Sequence, residues 1–114
     1  MNDTPQSDKQ RQSARVVMRV PVEVRGKAAD GSPFEESTYT GVVGVLGAMV
    51  RTSQTLPTGT EVEVTNRFSQ QTAKFRVAWA KEHRDGGFWE IGIESLAPLY
   101  DFWGVRFPPK PDRR

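Results

Sequence analysis

The sequence predicts an all-β domain, a small antiparallel barrel, and three observations carry that prediction. Apolar and polar residues alternate with period two in several short segments, which sets successive side chains on opposite faces of a strand. Clusters of Gly, Pro, Asp and Asn separate these segments at short, regular intervals, the spacing of a barrel of about six strands rather than of helices. The apolar residues are mostly β-branched or aromatic, with 3 Trp, 6 Phe and 2 Tyr, and such side chains suit a pleated, half-buried surface.

The elements follow in order. Residues 1–10 are polar and show no period, and are read as a mobile arm. In Val16–Val24 the residues Met18, Val20, Val22 and Val24 share one parity against Arg19, Pro21 and Glu23, so this is a half-buried strand; Pro21 demands an edge or a bulge there. Asp30-Gly31 lies in the turn Gly26–Pro33, and Phe34–Val43 returns the chain. The run Val42–Val50 is apolar but interrupted by Gly44 and Gly47, which predicts two strands joined by a tight turn. After a turn at Leu56–Gly59, Thr60–Thr65 alternates again. Ala73–Ala80 and Phe88–Leu96 form a hairpin around His83–Gly87, with Phe75, Val77 and Trp79 on the inner face. Residues 97–105, with Pro98 at the start and Tyr100, Phe102 and Trp103 inside, are expected to form a short C-terminal helical turn that plugs one barrel end. The proline-rich stretch after Phe107 continues neither helix nor strand, and 110–114 is a basic tail. The domain thus spans 11–109.

Composition narrows the function. Without cysteine there is no disulfide framework, thiolate zinc site or cysteine nucleophile. No apolar run approaches the roughly 20 residues of a membrane-spanning helix, and the N-terminus lacks the apolar core of a secretory signal, so a cytoplasmic location is expected. A net charge of +2, from 16 basic and 14 acidic residues, argues against a general nucleic-acid binder. Between Lys9 and Lys27, however, six basic residues face one acid, Glu23, and a local basic segment of that kind suits a small anionic ligand or an acidic partner.

Few residues carry site chemistry. Arg11 and Arg15 stand four apart ahead of the first strand, where two guanidinium forks can close on a phosphodiester or a guanine edge, or else form a solvated basic linker. Gly44 and Gly47 let backbone approach a ligand, or simply make a turn. His83, the single histidine, sits in a charged turn with no converging ligand or orienting partner. Glu35-Glu36 and Glu61/Glu63 read as outer-face charges. No nucleophile, acid–base pair or metal cluster is visible, so neither catalytic residues nor a cofactor are expected. Trp79 is assigned to the core as a cross-strand partner of the opposing arm, with Trp89 left open between core and base stacking.

These pieces together resemble the PilZ family of small β-barrels that bind cyclic di-GMP. Arg11-Gln12-Ser13-Ala14-Arg15, followed by Pro21-Val22, is similar to the family's RxxxR segment, and Val42–Ala48 falls on its [D/N]xSxxG motif. The segments 87–94 and 101–109 resemble the ending of one subgroup. The resemblance implies a six-stranded antiparallel barrel in which Arg11 and Arg15 grip phosphate and guanine and Gly47 is the motif glycine. Val42 and Gly44 stand where the family has its polar pair, so two guanine contacts are missing. Arg15 and Arg19 repeat the RxxxR spacing, which makes Arg19, with Gly44, a weaker candidate. The implied function is a non-enzymatic cyclic di-GMP sensor of weakened affinity, able to act on a protein effector. The alternative is a degenerate domain that binds protein and no nucleotide, using Val42, Val45 and Leu46 as an apolar patch.

Overall fold

The computed structural model describes residues 15–81 and 86–105. The arm 1–10, Arg11, His83 and the tail 110–114 lie outside the described residues.

Seven strands run in chain order: β1 (Arg15–Val17), β2 (Pro21–Lys27), β3 (Pro33–Gly44), β4 (Gly47–Thr52), β5 (Glu61–Asn66), β6 (Thr72–Ala80) and β7 (Trp89–Ser95). The order β3-β2-β5-β6-β7-β4 closes through a β3–β4 pairing into a six-stranded antiparallel barrel, and β1 adds to β3 as one extra strand. Closure pairs β3 with β4 over Thr40–Val43 and so shortens the open edge that a six-stranded sheet would otherwise present.

β1 and β2 are one strand interrupted at Met18–Val20. Thr40 bridges the break: its hydroxyl accepts from Val20 N (2.9 Å) and donates to the Met18 carbonyl (2.7 Å), inside the barrel wall. The irregularity expected at Pro21 therefore falls just before it. Pro21 opens β2, a strand position where its missing N–H costs no ladder bond. The predicted parity holds on either side, with Val20, Val22 and Val24 buried and Val17 88% exposed.

The core comprises the inward residues of all six barrel strands, among them Val22, Val43, Val50, Val64, Phe75, Val77, Ile91 and Ile93. Its end is stoppered by Phe102 and Trp103, both buried, which meet edge to face at 4.8 Å and each pack against Phe75. Burying an aromatic ring of this size is worth about 4–6 kcal/mol of transfer free energy, an upper figure because the unfolded chain is not fully extended. The plug forms as expected but is not helical. Residues 97–105 are bends with a single turn, Gly104 N donating to Asp101 O at 3.2 Å, and Gly104 takes a φ of 75°. No helix occurs among the described residues, and none is therefore long and apolar enough to cross a membrane.

Asn66 ties the plug to the wall. It continues the inward parity of Val62 and Val64 and is 1% exposed. Its Nδ2 donates to the Phe102 carbonyl (2.7 Å) while its Oδ1 accepts from Phe68 N (2.8 Å), so a buried polar side chain is satisfied at both ends.

Candidate functional site

The outer face of β1, β3, β4, β7 and β6 carries two cross-strand rows set by register. One runs Arg15·Gly44, then across the β3–β4 turn to Gly47·Glu94·Arg76. The other runs Val17·Val42·Met49·Gly92·Trp79. Apart from Val17 and Arg76, they line a cleft of about 300 Å³ whose floor carries Val42, Met49 and three glycines, Gly44, Gly47 and Gly92, between Arg15 on one side and Trp79 on the other. Three of the sequence candidates, Arg15, Gly44 and Gly47, thus meet at one place. Arg19 does not join them: its guanidinium lies on the Tyr39 ring, 4.3 Å from the centroid, in a different cleft.

Trp79 overturns its sequence assignment. A bulge at Ala78 shifts the β6–β7 register, so that Val77 pairs with Ile93 but Trp79 pairs with Gly92. The extra residue turns Trp79 from the inner face to the outer one, where it is 43% exposed and its indole lies over Gly92. A Cβ on Gly92 would collide with that indole. There is no Trp79–Trp89 pair; Trp89 stands opposite Thr52 and packs half-buried against the core.

Gly47 has a structural reason to be glycine. A Cβ there would strike the Ile93 carbonyl oxygen of the neighbouring strand. The turn itself is fixed by its carbonyls: Trp103 Nε1 donates to Gly44 O (3.1 Å), Leu99 N to Val45 O (2.8 Å) and Ser95 N to Leu46 O (2.8 Å). Three consecutive carbonyls are therefore committed to β7 and the plug, which makes the cleft floor rigid. Val45 is only 9% exposed in this arrangement while Leu46 is 44% exposed, so the apolar patch expected at Val42, Val45 and Leu46 reduces mainly to Leu46.

The polar groups at the cleft are few. Arg15 is exposed. Glu94 pairs with Arg76 (3.3 Å), both about half exposed, a geometry worth little to stability but enough to hold the carboxylate at the rim. Val42 and Gly44 contribute no hydrogen-bonding side chain. Of the other sequence candidates, Glu63 accepts from Arg25 (3.0 Å) on the far outer face, an ordinary surface ion pair, and Glu36 accepts from Thr52 Oγ1 (2.6 Å), Ser53 N (2.9 Å) and Ser53 Oγ (2.8 Å), closing the wall beyond β4. Among the described residues no group of three or more His, Cys, Asp or Glu converges as a metal site would require.

The sequence reading did not single out Glu94 or Gly92. Glu94 looks like any outer-face acid, and only the register that sets it beside Gly47 gives it a place in the cleft. No protein-family model matches the chain, and no curated protein is detectably similar to it.

Proposed function

We propose that this chain is a non-enzymatic nucleotide sensor of the PilZ kind, binding cyclic di-GMP across the glycine-floored cleft. The observation that supports this most is the meeting of Arg15, Gly44 and Gly47 with an exposed indole on one rigid outer face. A base needs a stacking surface, and the exposed Trp79 indole is one; base–aromatic stacking is worth about 1–3 kcal/mol. A phosphodiester needs a forked donor, and Arg15 offers one, with Arg11 four residues earlier as its partner.

The lost polar pair at Val42 and Gly44 costs about 1 kcal/mol for each hydrogen bond, more if one was charged, which weakens binding by roughly tenfold to a thousandfold. Glu94 is placed to recover part of this. Its carboxylate can only accept hydrogen bonds, and the Watson–Crick edge of guanine presents neighbouring N–H donors. In this reading β7 supplies the acceptor that the β3–β4 turn lacks. Calorimetric titration tests the proposal: saturable heat with cyclic di-GMP that disappears in Arg11→Ala/Arg15→Ala supports it, and no heat at millimolar ligand ends it.

One observation favours a second reading, a protein-interaction module without nucleotide. Leu46 (44% exposed) and Leu96 (50% exposed) are both exposed apolar residues, and Ser95 N, one residue before Leu96, bonds the Leu46 carbonyl. Leu46→Asp should abolish any partner capture in pull-downs while leaving the barrel folded; capture that survives the substitution removes this reading. Val45 is unsuitable for the same test, since a charge there would be buried.

A further inference from the structure

On the other side of Met49 the same outer face opens into a second, larger cleft of about 580 Å³. It exists because the closing β3–β4 register runs only from Thr40 to Val43, with a bulge at Gly41, so the two strands diverge beyond Thr40. The cleft is floored by Met49 and flanked by two aromatic rings, Tyr39 (47% exposed) and Phe88 (39% exposed). Each ring carries an arginine: Arg19 lies 4.3 Å from the Tyr39 centroid and Arg51 5.4 Å from that of Phe88.

A guanidinium resting on a ring keeps the N–H groups of its edge available, and the stacking fixes its orientation before any ligand arrives. That reduces the ordering cost of binding. Charge points the same way. The cleft's carboxylate, Glu90, is neutralised by Lys81 at 2.7 Å. Arg19 makes no ion pair with a carboxylate among the described residues, its interaction being the Tyr39 ring. Arg19 thus faces the cleft with its charge unmatched by a carboxylate among the described residues.

We propose that this cleft is a binding site for a small planar aromatic anion, its ring lying on Met49 and the flanking aromatics and its carboxylate, sulfonate or phosphate forked by Arg19. The cavity volume lies in the range of small-molecule sites, roughly 300–1,000 Å³. Bidentate recognition explains why arginine stands there, since the point charge of lysine would neither stack nor fork. The site is separate from the glycine-floored cleft and does not rest on cyclic di-GMP binding.

The test is a fluorescence titration of the full chain with anilinonaphthalene sulfonate, an aromatic sulfonate with a planar naphthalene ring that brightens when its rings leave water. The expected result is saturable one-site binding that Arg19→Gln weakens by about tenfold or more, the effect of losing a charge-assisted fork. Tyr39→Leu, which removes the platform, weakens it too, whereas Arg15→Gln in the other cleft leaves it within about twofold. Near-ultraviolet circular dichroism of each variant, matching the wild type, excludes dye uptake by a loosened core, and amide shifts upon dye addition centred on Gly41, Met49 and Phe88 locate the site. Fluorescence that never saturates, binding indifferent to Arg19→Gln, or binding lost equally with Arg15→Gln overturns the proposal.

Discussion

Gly47→Ala tests the steric reason for glycine at the start of β4. A Cβ at this position would meet the Ile93 carbonyl oxygen, with Glu94 Cα at 3.0 Å and Ile93 C at 3.1 Å. All three are backbone atoms of β7, which is paired with β4 through six residues and cannot yield locally. Overpacking of this kind costs about 1–3 kcal/mol, and rigid backbone neighbours place it at the upper end. Replacing glycine also restricts the unfolded chain, which returns roughly 0.4–1 kcal/mol. The net loss is about 2 kcal/mol, a large part of the roughly 5–15 kcal/mol of a domain and equivalent to a fall in Tm of about 10 °C. Gly41→Ala is the matched control. Its Cβ would meet only the flexible tip of Met49 at 3.3 Å, and neither glycine has a positive φ, so its stability should stay within about 0.5 kcal/mol of wild type. Urea unfolding followed by tryptophan fluorescence and far-ultraviolet circular dichroism measures both. Equal midpoints for the two variants would refute the steric account of Gly47.

Asn66→Ala should destabilise the barrel by about 2–3 kcal/mol, because the Phe102 carbonyl loses its donor in a buried place and the 66–69 turn loses its acceptor; a thermal shift equivalent to less than about 0.5 kcal/mol would contradict this. Gly92→Ala should drive the Trp79 indole off its seat, moving its Nε1–H resonance at a stability cost below about 1 kcal/mol, since Trp79 can swing into solvent; an unmoved resonance would place the indole elsewhere. Asp30 accepts from the Ser32 hydroxyl (2.6 Å) and Ser32 N (2.9 Å), and these bonds hold its carboxyl below the ordinary aspartate range. A depressed folded value means that this contribution is complete above the unfolded pKa of about 4 and fades as pH falls through the folded one. A carboxyl NMR titration giving Asp30 an ordinary or raised value would refute it, and Asp30→Asn should remove the corresponding slope in stability below about pH 4.

Much of the barrel was legible because the inward residues keep strict parity along each strand: Val20, Val22 and Val24, then Val62 and Val64, then Phe75 and Val77. The alternation fails where the backbone does. One extra residue at Ala78 reverses the face of everything after Val77, and nothing in Phe75–Trp79 betrays a bulge. Trp79, expected in the core, became the exposed wall of the site for that reason alone. Asn66 carried a readable signal, a polar residue at an inward position after two buried valines, and such a residue implies a buried partner. The plug's aromatic pair was legible from its density, whereas its bends were not, because packing around Phe75 decides them rather than helix propensity. Arg15, Gly44 and Gly47, which stand apart in the sequence reading, line one cleft. Glu94 and the pairing of Arg19 with Tyr39 depend on contacts between strands far apart in sequence, which a linear reading cannot place.

The central claim is that the glycine-floored cleft takes a cyclic dinucleotide, and amide spectra of the labelled protein titrated with cyclic di-GMP test it most directly. The account predicts saturable shifts at Arg15, Gly44, Gly47, Gly92 and the Trp79 indole, with little change at Tyr39 and Phe88 across the Met49 divide. Spectra unchanged at millimolar ligand, or shifts gathered around Tyr39 and Phe88 instead, would contradict it.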